Sequence, residues 1–163
     1  MQLFMREKVF SWRDRFNVWD EAGNDRYYVE GELFSWGKRL HVRDAQGNEA
    51  AFIQQKVFSF LPRFFVYVDG QQVAEIVKRF TLFHPRYEIE GLGWEIAGDF
   101  FEHDYEINCD GRPIASIHKQ WFTWGDCYCL DIASAQDALP ALAVVLAIDC
   151  VNEQAAAASS SSN

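Results

Sequence analysis

Short runs of alternating apolar and polar residues recur along most of the chain. Turn-forming residues break them at intervals of about 8–12 positions, the spacing of an all-β sandwich or barrel. "FFVYVDGQQVAEIV" and "YEINCDGRPIASI" each read as strand, tight turn, strand, because Asp-Gly supplies the positive φ that a two-residue hairpin turn needs. Related turns follow Trp19 in "WDEAGNDRYYVEG" and Arg43 in "RDAQGNEAAFIQQK". The first pair of units shares Asp-Gly-x-x-(Val/Ile)-Ala-x-Ile-x-Lys-x-aromatic, and the second shares Asp-x-x-Gly-Asn-acid. Ala-x-Ile recurs at Ala51–Ile53, Ala74–Ile76 and Ala115–Ile117. The pattern predicts about ten to twelve short strands in a pseudo-symmetric meander. The spacing is too irregular for a solenoid.

After Ser134 the pattern changes. Ser134 can cap a helix, Asp137 falls where the helix dipole favours negative charge, and Pro140 is tolerated if it lies in the first turn. From Ala138 to Ile148 every residue is apolar, so the helix has no polar stripe and must be buried on all sides. Such a run spans about 16 Å, whereas a bilayer core needs about 30 Å. A hydrophobic helix enclosed by a sheet that closes around it is therefore expected, and no transmembrane segment.

The bulk numbers narrow the function. The 163 residues suggest one domain, assigned to 1–153, followed by a low-complexity tail, 154–163, expected to be disordered. A formal net charge of −9 argues against nucleic acid as a partner, since neutralising phosphates needs a basic face. The N-terminus "MQLFMREKVFSW" lacks the apolar run and small-residue cleavage site of a secretory signal, so a cytoplasmic protein is expected. Cys109, Cys127, Cys129 and Cys150 contain no Cys-x-x-Cys pair. They read as small packed hydrophobes, without disulfides, zinc or another cofactor.

Larger blocks of text carry a family resemblance. "MREKVFSWRDRFNVWDEAGNDRYYVEGELFSWGKRLHVRDAQGNEAAFIQQK", "GDFFEHDYEI", "KQWFTWGDCYCLDI" and "VVLAIDCV", in that order, resemble the LURP-one-related family from about Met5 to Val151. That family belongs to the Tubby C-terminal-like group, with phospholipid scramblases as further relatives. The resemblance implies a closed barrel of about twelve strands around a hydrophobic C-terminal helix, in agreement with the pattern above. It also implies a binding or tethering module: Tubby-type domains hold phosphoinositide head groups in a basic pocket, scramblase-like relatives are associated with lipid movement, and plant LURP-one proteins with defence. The head-group pocket has no residue-by-residue counterpart here, and no Asp-x-Asp-x-Asp-Gly calcium loop is present.

Candidate site residues are correspondingly general. No His-x-x-x-His, nucleophile elbow, P-loop or dinucleotide fingerprint occurs, so no catalytic residue is assigned and an enzyme is not expected. Glu102, His103, Asp104 and Glu106 lie close enough in "FFEHDYE" to suggest acid–base or metal chemistry, although a solvated loop is the commoner explanation. Lys38, Arg39, Arg43, Lys78, Arg79 and Arg86, with Lys119, are the basic groups that could meet an anionic head group. Against this stands an ordinary solvated surface. Lys78 and Lys119 extend the inward-facing Ala-x-Ile faces, so each should snorkel to the rim. Alternatively, one of them pairs with Asp149, a buried carboxylate that needs a partner. Trp12, Trp19, Trp36, Trp94, Trp121 and Trp124 could mark a membrane face, though in β-rich chains aromatics more often pack in the core. An anionic phospholipid head group leads as ligand, with peripheral membrane location. A protein partner and a scaffold role are the alternative.

Overall fold

The computed structural model describes residues 1–6, 15–32, 35–79, 86–100, 102–122 and 125–160. Twelve strands occupy β1 (Gln2–Arg6), β2 (Phe16–Asp20), β3 (Asp25–Gly31), β4 (Arg39–Asp44), β5 (Glu49–Gln55) and β6 (Arg63–Val68). They continue with β7 (Gln71–Arg79), β8 (Arg86–Glu90), β9 (Trp94–Asp99), β10 (Asp104–Cys109), β11 (Arg112–Phe122) and β12 (Gly125–Ile132). They form one antiparallel sheet in the order β8-β7-β6-β5-β4-β3-β2-β1-β12-β11-β10-β9. β1 pairs with β12, with Leu3 opposite Leu130, so the sheet curls into a barrel. β8 and β9, though consecutive in the chain, share no ladder among the described residues. The barrel is nearly closed, with its seam there.

Because neighbouring strands are antiparallel, the connections divide between two ends. At one end sit the Asp-Gly turns. Asp69 and Gly70 have φ of 49° and 75°, and Asp110 and Gly111 have 50° and 75°, the left-handed pair of a tight hairpin. In the longer turns, Asp20 accepts from the backbone N–H of Ala22 and Asn24 at 3.0 and 2.9 Å. Asp44 does the same for Gln46 and Asn48. At the other end lie longer connections, β3–β4 around Trp36 and β5–β6 from Lys56 to Pro62, together with the short β9–β10 connection around His103.

The helix enters from the turn end. Ser134 is extended and makes no side-chain cap. A 3-10 turn, Ala135–Asp137, leads into α1 (Ala138–Ser160), with Pro140 in its first turn. Ala141 to Ile148 are all buried, and the helix lies against β5, β6, β7 and β12. The inward strand positions Leu3, Val18, Val29, Val42, Ile53, Val66, Ile76, Ile107, Ile117 and Leu130 complete the core. Ala51, Ala74 and Ala115 are buried as the repeated Ala-x-Ile predicts, and small side chains there leave room for the helix.

Two features differ from expectation. The stretch Ala135–Gln154 is by length and hydropathy (1.4) comparable to a membrane span, yet 67% of its most apolar window is buried inside the barrel. Beyond Ile148 the helix continues to Ser160 and takes in residues assigned to the tail. Ala155–Ala158 are strong helix formers, and the helix is already nucleated by the buried part.

Candidate binding surface

Asp149 is the first charged residue after the apolar run and lies at the loop end of the barrel. It is 5% exposed. Its partner is not a lysine: His103 turns inward from the β9–β10 connection, and its Nε2 lies 2.8 Å from Asp149 Oδ1. His103 adopts a φ of 53°, which a β-strand cannot supply, and its ring packs on Tyr128 with centroids 4.2 Å apart. Burial, the strongest influence, pushes the Asp149 carboxyl above its ordinary range, while the hydrogen bond and charge of His103 pull it back. Asp149 Oδ2 and the Tyr105 hydroxyl are both buried without a hydrogen-bond partner among the described residues. Next to them Tyr87 donates to Asn152 Oδ1, and the Asn152 amide donates to the Phe100 carbonyl at 3.0 Å.

The Glu102–Glu106 cluster does not assemble as acid–base or metal chemistry would require. His103 faces the interior, while Glu102, Asp104 and Glu106 are exposed. Among the described residues no three His, Cys, Asp or Glu side chains converge as a metal site would. Cys109, Cys127, Cys129 and Cys150 form no disulfide, and the last three are buried. Burial raises Cys129 to about 11, which makes its thiolate scarce at neutral pH.

The basic candidates are dispersed and mostly matched with carboxylates. Lys38 bonds Glu153 at 3.2 Å, Arg39 meets Glu32 at 3.3 Å, and Arg79 meets Glu88 at 2.9 Å. Arg43 donates to the Gly47 carbonyl at 3.3 Å and faces Glu30 at 3.9 Å. Lys78 does not snorkel: it is 3% exposed, its Nζ stands 5.7 Å from the Tyr87 ring centre, and burial lowers its pKa. Lys119 is half-buried on β11 opposite Tyr128. The Arg86 side chain, Trp12, Trp124 and the Trp121 side chain lie outside the described residues. Trp94 is buried, and Trp19 stacks on Phe4 at 6.3 Å.

Trp36, one of the tryptophans that could mark a membrane face, lies at the surface, with two phenylalanines that no motif had singled out. Trp36, Phe58 and Phe60 are 78%, 93% and 107% exposed, and Val57 beside them is 39% exposed. The β3–β4 and β5–β6 connections that carry them abut. Lys38 N–H donates to Gln55 Oε1 at 2.9 Å, Gln55 N–H donates to the Lys38 carbonyl at 2.8 Å, and a Cβ on Gly37 would stand 3.3 Å from Val57. A cavity of about 360 Å³ lies beside β2, lined by Arg6, Arg15 and Trp19; another, about 310 Å³, lies between Lys56–Pro62 and Gln154 of the helix. A sequence signal for these aromatics exists. The motif apolar-Phe-Ser-aromatic occurs at Val9–Trp12, Leu33–Trp36 and Val57–Phe60, 24 positions apart each time. In step with it, no Asp or Glu occurs from Leu33 to Arg43 or from Ala50 to Val68, although the chain has 24 acidic residues. The turn end, by contrast, carries Asp20, Glu21, Asp25, Asp44, Glu49, Asp69, Glu90 and Asp110.

A family model described as LURP-one-related matches residues 1–149. The chain belongs to the LURP-one-related family. The chain is similar to the uncharacterized protein YxjI of Bacillus subtilis (strain 168), 37% identical over 152 residues that cover 93% of each chain. The fold is also that of a crystal structure of an Arabidopsis thaliana protein, with a TM-score of 0.63 and 14% identity over 93% of this chain and 90% of that one. At that identity the likeness concerns the fold alone, the Tubby-like barrel with a central helix. Family and fold together suggest a binding domain.

Proposed function

We propose that this LURP-one-related domain is a non-enzymatic module that docks on anionic phospholipid surfaces, with its loop end towards the head groups and phosphoinositide-like lipids as the class of ligand. The division of charge between the two ends carries this reading. The β3–β4 and β5–β6 segments bring Lys38, Arg39, Lys56 and Arg63 to the loop end, where the nearby carboxylates Glu153 and Glu32 are paired with Lys38 and Arg39, while carboxylates crowd the opposite turns. On a chain of net charge −9, an anionic membrane repels the molecule as a whole and orients it by this asymmetry. Among the described residues the basic groups do not line one deep pocket, so recognition is by a surface rather than by enclosure of a single head group.

Co-sedimentation of the purified chain with phosphatidylcholine vesicles, with and without phosphatidylserine or phosphoinositide, tests the proposal. Pelleting only with the anionic lipids, weakening as salt rises, is the expected result. Absence of pelleting with every lipid refutes it. The exposed aromatics favour a second reading, docking on a protein partner, which predicts no vesicle binding at any salt concentration.

A further inference from the structure

We infer that the module holds the bilayer by insertion: Trp36, Phe58 and Phe60 form an apolar tip that enters the interfacial and acyl region, with Lys56 beside it at head-group level. The inference rests on the docking reading above and assigns its contact residues. Three observations point to a bilayer. The side chains stand out from the barrel, with Phe58 and Phe60 at or near full exposure although both border the cavity beside Gln154, so an occupant must conform to their protruding faces. A fluid apolar phase does this without a complementary shape. Lys56 is exposed next to the tip, its Nζ 5.7 Å from the Phe65 ring, and no acid occurs from Leu33 to Arg43 or from Ala50 to Val68. Aromatic and lysine side chains together are the composition of a membrane interface, where the rings sit among the acyl chains and the ammonium stays with the phosphates.

The third observation concerns the mounting of the tip. Phe58 has a φ of 61°, a conformation that disfavours side chains larger than Gly, and the ring is nonetheless exposed. Folding leaves the ring outside the core. The two loops are held by the paired Lys38 and Gln55 hydrogen bonds, and Lys38 is in turn fastened to Glu153 on the helix. The tip is thereby tied to the buried helix, and force on the loops is carried into the core. Since the whole molecule is acidic, the attraction of its loop-end basic groups to an anionic surface is opposed by its net charge. Apolar insertion supplies what charge does not.

The test compares the full chain with the triple variant Trp36→Ser/Phe58→Ser/Phe60→Ser, using vesicles of phosphatidylcholine with roughly a third phosphatidylserine, an anionic cytoplasmic-leaflet mimic. Tyr28→Ser, which removes a 40%-exposed aromatic from the outer wall of β3, is the control. Thermal unfolding establishes that each variant folds. Expected is a loss of vesicle partitioning of at least about tenfold in the triple variant, the scale set by removing buried aromatic area. The control should bind unchanged. Equal binding by wild type and triple variant overturns insertion and leaves the docking reading intact. No binding by wild type to any vesicle removes the docking reading and insertion with it. If wild type is dimeric in solution and the triple variant monomeric, with vesicle binding unaffected, the tip is covered by a second copy and the inference is wrong.

Discussion

The two ends of the barrel solve different problems with the same antiparallel connections. At the turn end, each chain reversal is closed on itself. Asp20 and Asp44 satisfy the N–H groups of their own turns, and Asp69-Gly70 and Asp110-Gly111 reverse direction in two residues. At the loop end, the connections are longer, hold three exposed aromatics, and surround a buried polar group, His103 with Asp149, that the turn end has no counterpart for. One end is built for closure and the other for contact. The helix passes from the first to the second, so its polar residues Asp149, Asn152 and Glu153 all arrive where the contact is.

That contrast can be broken or sharpened by substitution. Leu146→Ala, in the part of the helix common to both ends, should have the largest effect, about 2–5 kcal/mol of stability, because a side chain that is 1% exposed leaves a cavity. Urea unfolding followed by far-ultraviolet circular dichroism and by tryptophan fluorescence should give one coincident, shifted transition. Separate transitions would mean that the two ends are not one cooperative unit.

Asp149→Ala, at the loop end, should cost about 1–3 kcal/mol by leaving His103 Nε2 unpaired in a buried site. The pH dependence is better read from Asp149→Asn. The folded carboxyl is raised above its unfolded value, so as pH rises from acid the unfolded chain ionises first. Wild type should therefore lose stability relative to Asp149→Asn through the window between the ordinary and the raised carboxyl range. A constant difference across that window, measured by denaturation at a series of pH values, would count against the buried dyad.

Asp44→Ala should have a smaller effect, confined to the turn end. Hydrogen bonds from Asn48, then from the turn backbone, hold the Asp44 carboxyl below its ordinary range despite some desolvation. Its contribution is present above the unfolded carboxylate pKa and disappears as pH falls through the depressed value. Thermal denaturation at neutral and acid pH should show a destabilisation that fades in acid. Smallest of all, Phe60→Ser should change unfolding stability by less than about 0.5 kcal/mol, because its ring has no burial to lose. Substantial destabilisation would place Phe60 in the fold's own packing and remove it from the contact surface.

The degree to which the sequence discloses each end follows from how local the causes are. Asp-Gly turns, Ala-x-Ile faces and a helix without a polar stripe act within a few residues, so about ten to twelve strands around an enclosed helix could be anticipated, and the family resemblance implies twelve. The Asp149 partner could not. Strand alternation points Lys78 and Lys119 inward but says nothing about a loop histidine 46 residues away whose left-handed backbone turns it into the barrel. The exposed aromatics were hidden by a generalisation, that aromatic residues in β-rich chains pack inside. It holds for Trp94 and Phe64 but fails for Trp36 and Phe60. The 24-residue recurrence of apolar-Phe-Ser-aromatic, out of phase with the Asp turns, distinguishes the two groups.

The polarity of the molecule at a membrane is the central claim, and site-specific labelling tests it most directly. In a Cys109→Ser background, which removes the one partly exposed thiol, an environment-sensitive fluorophore is placed at Ser59→Cys at the loop end or at Gln46→Cys at the turn end. On addition of phosphatidylserine-containing vesicles, the label at position 59 should brighten and shift to the blue and become quenchable by brominated lipid, while the label at position 46 stays in water. Equal responses from the two positions, or a response at position 46 alone, would contradict the account.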